Sequence, residues 1–428
     1  MKYFGTDGIR ALNEIFTDSY LRKIAYGIAT LGENIKIVIG RDPRLSGQYI
    51  EKVMKTALCD YGLKIISVGM VPSPTLAYLT KFLQCDYGIM LSASHNPPEY
   101  NGIKLFNSQG EKVTEEIELK VESGIDNFVK TQQKVGEITY FDGNQEYITH
   151  LISMIKPDLN GLRVLMDTAN GATSIIAPRL FTLAGAKVTQ IKGETDGKHI
   201  NENCGATVPN FLLQEMEKDD YDIGFTFDGD GDRVMCGYKG KIYNGDHIMY
   251  IHCKDMMAKN SLHGNAMVST VMSNLGTEKA CERSGIKLVR ANVGDKHVYR
   301  EMLAKGYNVG GEESGHVIFK DYVNTGDGIV SALLTALLSK RTNIDILDDI
   351  VEYPSVTDCI ICDKASMKKF NDSAEIKEYL AKIGKDFRTV IRPSGTEPKI
   401  RILVESEYSE NAKNKAKEIK KFIEEQIL

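Results

Sequence analysis

The sequence has no apolar run long enough to cross a bilayer. Its most apolar stretch, Gly328 to Leu338 (GIVSALLTALL), falls well short of the ~20 residues a spanning helix needs and reads as a buried helix. No block of like charge runs past a few residues, and 53 Lys plus Arg against 58 Asp plus Glu leave a net charge of −5. Bulk electrostatic binding to nucleic acid is thereby excluded, and no membrane partner is expected. Proline is scarce, 11 in 428 residues, while 42% of residues are hydrophobic and 26% charged, which excludes a disordered or collagenous chain. The eight cysteines are dispersed, and only Cys359-Ile-Ile-Cys362 is closely spaced. Without a second pair this CxxC reads as core of a strand-like run, not a zinc or redox site, and a reducing cytoplasm is the expected compartment. The opening residues Met1 to Asp7 bring an acid early, with no apolar run behind them, so they do not read as a signal peptide.

What is present is an α/β grammar that repeats. Lys36 to Gly40, Leu63 to Val68 and Tyr87 to Leu91 read as strands, with helices over Gly47 to Asp60 and Thr75 to Phe82. Continuous apolar runs alternating with helices indicate buried parallel strands. The pattern returns at Arg163 to Asp167 and Ile223 to Phe227, and again at Ala266 to Ser269 and Tyr307 to Gly310. Each copy opens its second strand with Gly-x-Lys (Gly62, Gly185, Gly285) and closes on a polar, Gly-containing loop. Ligands gather at the carboxyl ends of strands in open α/β sheets, so three such loops would meet at a shared cleft. After Lys340 the tail reads as a smaller α+β domain: strands over Val356 to Cys362 and Ile400 to Glu405, a helix over Ser373 to Ile383 and a Lys/Glu-rich helix to Leu428. The expected division is 1–152, 153–249, 250–352 and 353–428.

Four loops carry candidate chemistry. Asp228-Gly229-Asp230-Gly231-Asp232-Arg233 sets three carboxylates at alternate positions, which repel unless a cation sits among them. Hard oxygen ligands favour Mg²⁺, which keeps positions open for phosphate oxygens. An EF-hand would need Gly and Glu where Arg233 and Lys239 stand. Ser94, after the third strand, reads as a nucleophile or phosphate carrier or as a plain turn residue, with Lys104 near enough in sequence to neutralise phosphate or serve as acid or base. Its neighbour His95 is assigned to loop structure, because adjacent side chains diverge. Arg392-Pro393-Ser394-Gly395-Thr396 joins a guanidinium to hydroxyls and a permissive glycine, suiting an oxyanion, and Arg401 adds a second positive charge. Glu312-Glu313-Ser314-Gly315-His316 offers groups for sugar hydroxyls and for proton transfer, and Arg10 is a candidate phosphate contact.

In this order, over essentially the whole chain, these loops resemble the α-D-phosphohexomutase superfamily. Phe4 to Arg10, Ala291 to Lys296 and Thr325 to Gly328 are similar to the bacterial phosphoglucosamine mutases within it. The resemblance implies three related mixed-sheet α/β domains and a smaller α+β C-terminal domain around a central cleft. It implies a phosphoserine at Ser94, and Mg²⁺ held by Asp228, Asp230, Asp232 and a phosphoserine oxygen. Lys104 and His316 become acid/base candidates, and Arg10 and Arg233 orient the moving phosphoryl group. Glu312 and Ser314 read sugar hydroxyls, while Arg392, Ser394, Gly395, Thr396 and Arg401 hold the phosphate that is not reacting. The implied reaction interconverts glucosamine 6-phosphate and glucosamine 1-phosphate through a glucosamine 1,6-bisphosphate intermediate, also the primer, and feeds UDP-N-acetylglucosamine synthesis. Phosphomannomutase or phosphoglucomutase activity is the alternative on the same scaffold; a silent phosphosugar- or metal-binding regulator would not need Ser94. The partner is a small phosphosugar, and a homodimer stays open. Ala11 and Glu313 depart from residues common in the family, Gly and Gln.

Overall fold

The computed structural model describes residues 2–5, 7–130, 134–384, 386–394 and 398–427. By packing, the chain divides into two compact units: Met1–Thr270 with Ala291–Asp348, and Val271–Arg290 with Asp349–Leu428.

In the larger unit the first sheet runs, edge to edge, Ile9–Leu12, Tyr100–Asn107, Tyr87–Leu91, Lys36–Arg41, Lys64–Met70 and Glu137–Tyr140. The strands from Tyr87–Leu91 to Glu137–Tyr140 pair in parallel; Tyr100–Asn107 pairs antiparallel on both its sides. Alternation across the pleat explains why Ile37, Val38 and Ile39 in the strand Lys36–Arg41 are apolar in succession. Ile37 and Ile39 enter a core with Leu21, Ile24, Ile50 and Val121 from helices on one face, whereas Val38 joins Val68, Leu76 and Leu79 on the other. The second sheet, in order Lys241–Tyr243, Val234–Tyr238, Ile223–Phe227, Arg163–Asp167 and Lys187–Ile191, is parallel around Arg163–Asp167 and antiparallel beyond Ile223–Phe227. A third set pairs Ala266–Thr270 in parallel with Val309–Gly311, which pairs antiparallel with Val317–Phe319. The parallel strands expected from the repeats are present, and the antiparallel strands beside them make the sheets mixed, as the resemblance implies.

The repeated Gly-x-Lys has a local cause. Gly62, Gly185 and Gly285 have φ of 82°, 99° and 70°, the left-handed conformation that ends a helix cheaply only at glycine, and strands begin at Lys64, Lys187 and Lys287 in turn. The helix expected around Gly328 runs Gly328–Arg341 and is buried on most of its circumference. Asp327 caps it, accepting the N–H groups of Ile329 and Val330 at 2.8 and 3.0 Å. No helix among the described residues is long and apolar enough to cross a membrane.

The smaller unit carries an antiparallel sheet, Ser355–Ile361, Lys399–Ser406 and Phe387–Pro393, in that order. Helix Ser409–Ile427 covers it through Ala412, Ala416, Ile419, Ile423 and Ile427, a stripe at helical spacing. Of the CxxC pair read as core, Cys362 lies in this core and Cys359 is half-buried outside it. Buried Glu405 joins the inserted segment to the sheet, accepting the Leu275 N–H at 2.9 Å and Arg388 Nη1 at 2.8 Å.

Candidate active site

In the larger unit the loops after Tyr87–Leu91 and Ile223–Phe227 meet the strand Tyr100–Asn107. Ser94 stands at the turn with φ 52°, a left-handed conformation that costs a non-glycine residue on the order of 1 kcal/mol. The surroundings enforce it. The Ser94 N–H donates to Ser92 Oγ at 2.8 Å, and the fully buried Arg44 holds the loop's carbonyls. Arg44 Nη2 donates to the carbonyls of Ser94 (2.9 Å) and Asn96 (2.7 Å), Nη1 to those of Tyr100 (2.9 Å) and Pro97, and Nε to Asp42 (2.9 Å). All five N–H groups of the guanidinium are thus used. Asn201 Nδ2 adds bonds to the carbonyls of Ser94 and Asn96 at 2.9 and 3.0 Å. So held, the Ser94 hydroxyl donates to Asp228 Oδ2 at 2.8 Å.

The acidic loop approaches this closely because residue 229 is glycine. A Cβ there would lie 2.7 Å from the Ser94 carbonyl oxygen. Asp230 Oδ2 accepts from Lys104 Nζ at 2.8 Å and from the Ser73 hydroxyl. Asp232 Oδ2 lies 3.5 Å from Lys104 Nζ and 3.7 Å from His316 Nδ1. Asp228, Asp230 and Asp232 are buried, each with one oxygen within 4.8 Å of the others'. Asp230 Oδ1 and Asp232 Oδ1 are buried without a hydrogen-bond partner. Burial, then the charges of Asp232 and Asp230, push the Asp228 carboxyl well above its ordinary range. Packed carboxylates with unsatisfied oxygens are the environment a hard dication relieves, and the donor set fits Mg²⁺.

Cations surround the triad. Burial works against the Lys104 ammonium, but Asp230, Asp7 and Asp232 raise its pKa, so it stays charged. Asp7 also pairs with Lys112 and Arg10, and Lys112 bridges to Asp295. Burial would raise the Asp7 carboxyl, yet Lys104, Lys112 and Arg10 hold it well below the usual range. Arg10 Nη1 donates to Asn96 Oδ1 at 3.1 Å, and the Arg233 backbone N–H to Asp228 Oδ1 at 3.1 Å. The Nε groups of Arg10 and Arg233 are both buried without a hydrogen-bond partner. His316 receives the Gly326 N–H on Nε2 at 3.1 Å, which favours the tautomer with its proton on Nδ1, toward Asp232. Burial lowers the His316 pKa, and Asp232 and Asp295 more than offset it, leaving it raised.

One expectation needs correction. His95 does not diverge from Ser94: its Nδ1 lies 3.3 Å from Ser94 Oγ, because the left-handed turn swings the two side chains together. Burial, with Arg233 and Arg10, lowers its pKa to about 4, so the ring is neutral at pH 7. Glu312 is half-buried and accepts the Gly294 N–H at 3.1 Å on Oε1; Ser314 is half-buried and Glu313 exposed.

In the smaller unit Arg392 and Pro393 belong to the strand Phe387–Pro393, not to an exposed loop, and Ser394 is buried, its N–H donating to the Lys399 carbonyl at 2.8 Å. Gly395 and Thr396 lie outside the described residues. Arg392 stands directly opposite Arg401 in the antiparallel ladder, which places both guanidinium groups on one face. Burial and then the Arg401 charge lower the Arg392 pKa.

Models of all four domains of phosphoglucomutase/phosphomannomutase match the chain: alpha/beta/alpha domain I at residues 1–132, domain II at 145–241, domain III at 244–355 and the C-terminal domain at 358–422. The chain belongs to the phosphoglucomutase/phosphomannomutase family. It is 38% identical to a phosphoglucosamine mutase of Clostridioides difficile over all of this chain and 99% of that one. It is 39% identical to one of Bacillus cereus, over 95% and 94% of the two chains. The crystal structure of a phosphoglucomutase/phosphomannomutase family protein from Burkholderia thailandensis shares the fold, with a TM-score of 0.84, 21% identity and coverage of 99% and 97%.

For a member of this family, the residues that sequence reasoning passed over are mostly those that hold others. Arg44 and Asp42 follow the strand Lys36–Arg41, a strand end like those that carry the other loops, and that position was the available signal. Lys112 sits in a segment with no local pattern, and Asp295 lies in the segment Ala291 to Lys296, which the sequence singles out without assigning it a role; only the fold brings them to Asp7 and His316.

Proposed function

We propose that this chain is a phosphoglucosamine mutase, interconverting glucosamine 6-phosphate and glucosamine 1-phosphate through a phosphoserine at Ser94 and a glucosamine 1,6-bisphosphate. The observation that carries the reaction class is the Ser94 hydroxyl on Asp228, in a buried carboxylate triad with two unsatisfied oxygens. The amino sugar rests on the relatives, phosphoglucosamine mutases matched end to end. Asp228, Asp230 and Asp232, with a phosphoserine oxygen, would hold Mg²⁺, which supplies positive charge to the phosphoryl oxygens when bound.

The chain's own residues do the rest. Arg44 and Asn201 keep Ser94 in its strained turn, so the oxygen that carries the phosphoryl group is placed before substrate arrives. Phosphoserine donates to the free hydroxyl oxygen of the hexose phosphate; the bisphosphate reorients, and its other phosphoryl group returns to Ser94. Charge spread over the phosphoryl oxygens meets the Lys104 ammonium and the unpartnered Nε–H groups of Arg10 and Arg233. Lys104, fixed as a cation by three carboxylates, is a poor proton acceptor, and His316, whose proton affinity Asp232 and Asp295 raise, moves the hydroxyl proton. Glu312 and Ser314 bind sugar hydroxyls. Arg392 and Arg401, like charges set opposite each other, accept the distal phosphate.

The test is kcat/KM for glucosamine 6-phosphate, glucose 1-phosphate and mannose 1-phosphate on Ser94-phosphorylated protein with Mg²⁺ and matching bisphosphate. A preference for the amino sugar of about 100-fold, worth roughly 2.7 kcal/mol in the transition state, is expected. A preference for glucose or mannose would keep the mechanism and overturn the substrate.

A further inference from the structure

A cavity of the larger unit, about 440 Å³, is lined by residues other than those of the proposed site. Its volume is within the range of small-molecule sites, on the order of 300–1,000 Å³. Aromatic faces form one wall: Tyr78 stacks on His150 with ring centroids 4.2 Å apart and on Phe82 at 5.5 Å, and Phe82 is 46% exposed. Burial lowers the His150 pKa, so the stack presents a neutral ring at pH 7. The charged lining side chains are Lys81 and Lys320; no Asp or Glu lines the cavity. Neither ammonium has a hydrogen-bond or ion-pair partner among the described residues, although acids outnumber bases in the chain. A half-buried aromatic stack ending on the exposed Phe82, beside two ammonium groups without a partner among the described residues, matches a ligand with a flat heterocycle and a polyanionic tail.

The cavity also touches the segment that fixes His316. Asn324 and Thr325 line it, and the next residue, Gly326, donates its N–H to His316 Nε2 at 3.1 Å. On the other wall Tyr78 packs against Tyr147, centroids 5.2 Å apart, and the Tyr147 hydroxyl donates to Asp327, the cap of helix Gly328–Arg341. Both walls therefore end on residues 325–327.

We propose that this cavity is an effector site for a nucleoside diphosphate, its base stacked on Tyr78, Phe82 and His150, its phosphates on Lys81 and Lys320, and its occupancy read by His316 through residues 325–327. The site is independent of which hexose the enzyme turns over.

The experiment titrates ADP and UDP, with uridine and inorganic pyrophosphate as half-ligands, into full-length protein by calorimetry. Ser94→Ala serves as a control for binding at the reaction site and the double variant Lys81→Ala/Lys320→Ala as the test. One of the two nucleotides should bind Ser94→Ala as it binds the parent, more tightly than either half-ligand, and weaken about tenfold or more in the lysine variant, about 1.4 kcal/mol. The lysine variant should keep basal turnover. The nucleotide should change kcat of the parent without competing with the hexose phosphate, and should not change kcat of the lysine variant. Equal affinity in the lysine variant, equal binding of pyrophosphate, competition with the hexose phosphate, an unchanged kcat, or no binding of either nucleotide would each overturn the proposal.

Discussion

At the scale of single residues, the arrangement depends on a fully buried cation whose donors are all spent within the protein. Arg44 spends all five donors on Asp42 and on four carbonyls of the Ser94–Tyr100 loop, and among the described residues its charge is paired with Asp42 alone. Lysine can keep the charge but not the planar fork, so Arg44→Lys should leave carbonyls unpaired and cost on the order of 3 kcal/mol. The expected signature is a lower Tm with kcat falling more than KM rises, since Ser94 loses its placement; thermal denaturation and steady-state kinetics on one preparation check it. Asp230→Asn tests the neighbouring loop. It removes charge from the triad while preserving shape, so calorimetric Mg²⁺ affinity and turnover should both collapse with the fold kept, because Asp230 no longer repels Asp228 and Asp232 while Lys104 loses one of its three carboxylate partners. Parent-like Mg²⁺ affinity would refute the metal assignment. The sequence displayed Asp228, Asp230 and Asp232 openly, since carboxylates at alternate positions form a local pattern. It hid Arg44, whose partners lie fifty residues onward, and it hid the Ser94–His95 contact, which depends on a φ sign that no residue type announces.

At the scale of elements, legibility follows how local the cause is. Arg163–Asp167 and Ile223–Phe227 have the bounds that apolar continuity predicts, and the second strand of each repeat starts at its Lys because the preceding Gly ends a helix. Expectation and structure part where tertiary pairing decides. Arg392 and Pro393 read as a polar turn but extend Phe387–Pro393, because Lys399–Ser406 supplies the ladder. Helix contacts carry a pH consequence. His252, on helix Gly245–Ala258, meets Thr335 Oγ1 at 3.1 Å on Gly328–Arg341 and packs edge-on to Phe319 at 4.9 Å. Burial lowers its pKa from 6.5 to about 4. Between those values the unfolded chain binds a proton that the folded chain refuses, so this residue's stabilising contribution is present above about pH 6.5 and lost as the pH falls toward 4. His252→Gln should flatten that limb: the difference in Tm between parent and variant should shift toward the variant as the pH falls from neutrality, measured by calorimetry across the interval. A pH-independent difference would mean His252 does not carry the effect.

For the whole molecule, net charge and function pull in opposite directions. A chain of −5 must bind an anionic phosphosugar, so attraction has to be local. The larger unit gathers Lys104, Lys112, Arg10 and Arg233, but sets them against Asp7, Asp228, Asp230, Asp232 and Asp295, which leaves little surplus charge for substrate. In the smaller unit Arg392 and Arg401 stand at directly opposed positions on one face of the sheet, like charges that the proposed function sets against the distal phosphate. On the proposed function, chemistry and anion holding sit in separate compact units, and this makes them separable by mutation. Arg392→Ala removes a charge-assisted contact worth about 1.5–3 kcal/mol to an anion, so KM for the hexose phosphate should rise about tenfold to a hundredfold. The same variant should carry the parent's level of covalent phosphate on Ser94 by intact mass and bind Mg²⁺ with parent affinity, since none of the residues around Ser94 has changed. It should also lose part of the rise in KM that added salt produces in the parent, because one of the screened charges is gone. An Arg392→Ala enzyme with parent KM and parent salt dependence would place the distal phosphate elsewhere. One that lost its Ser94 phosphate would show that the two units do not divide the work in this way.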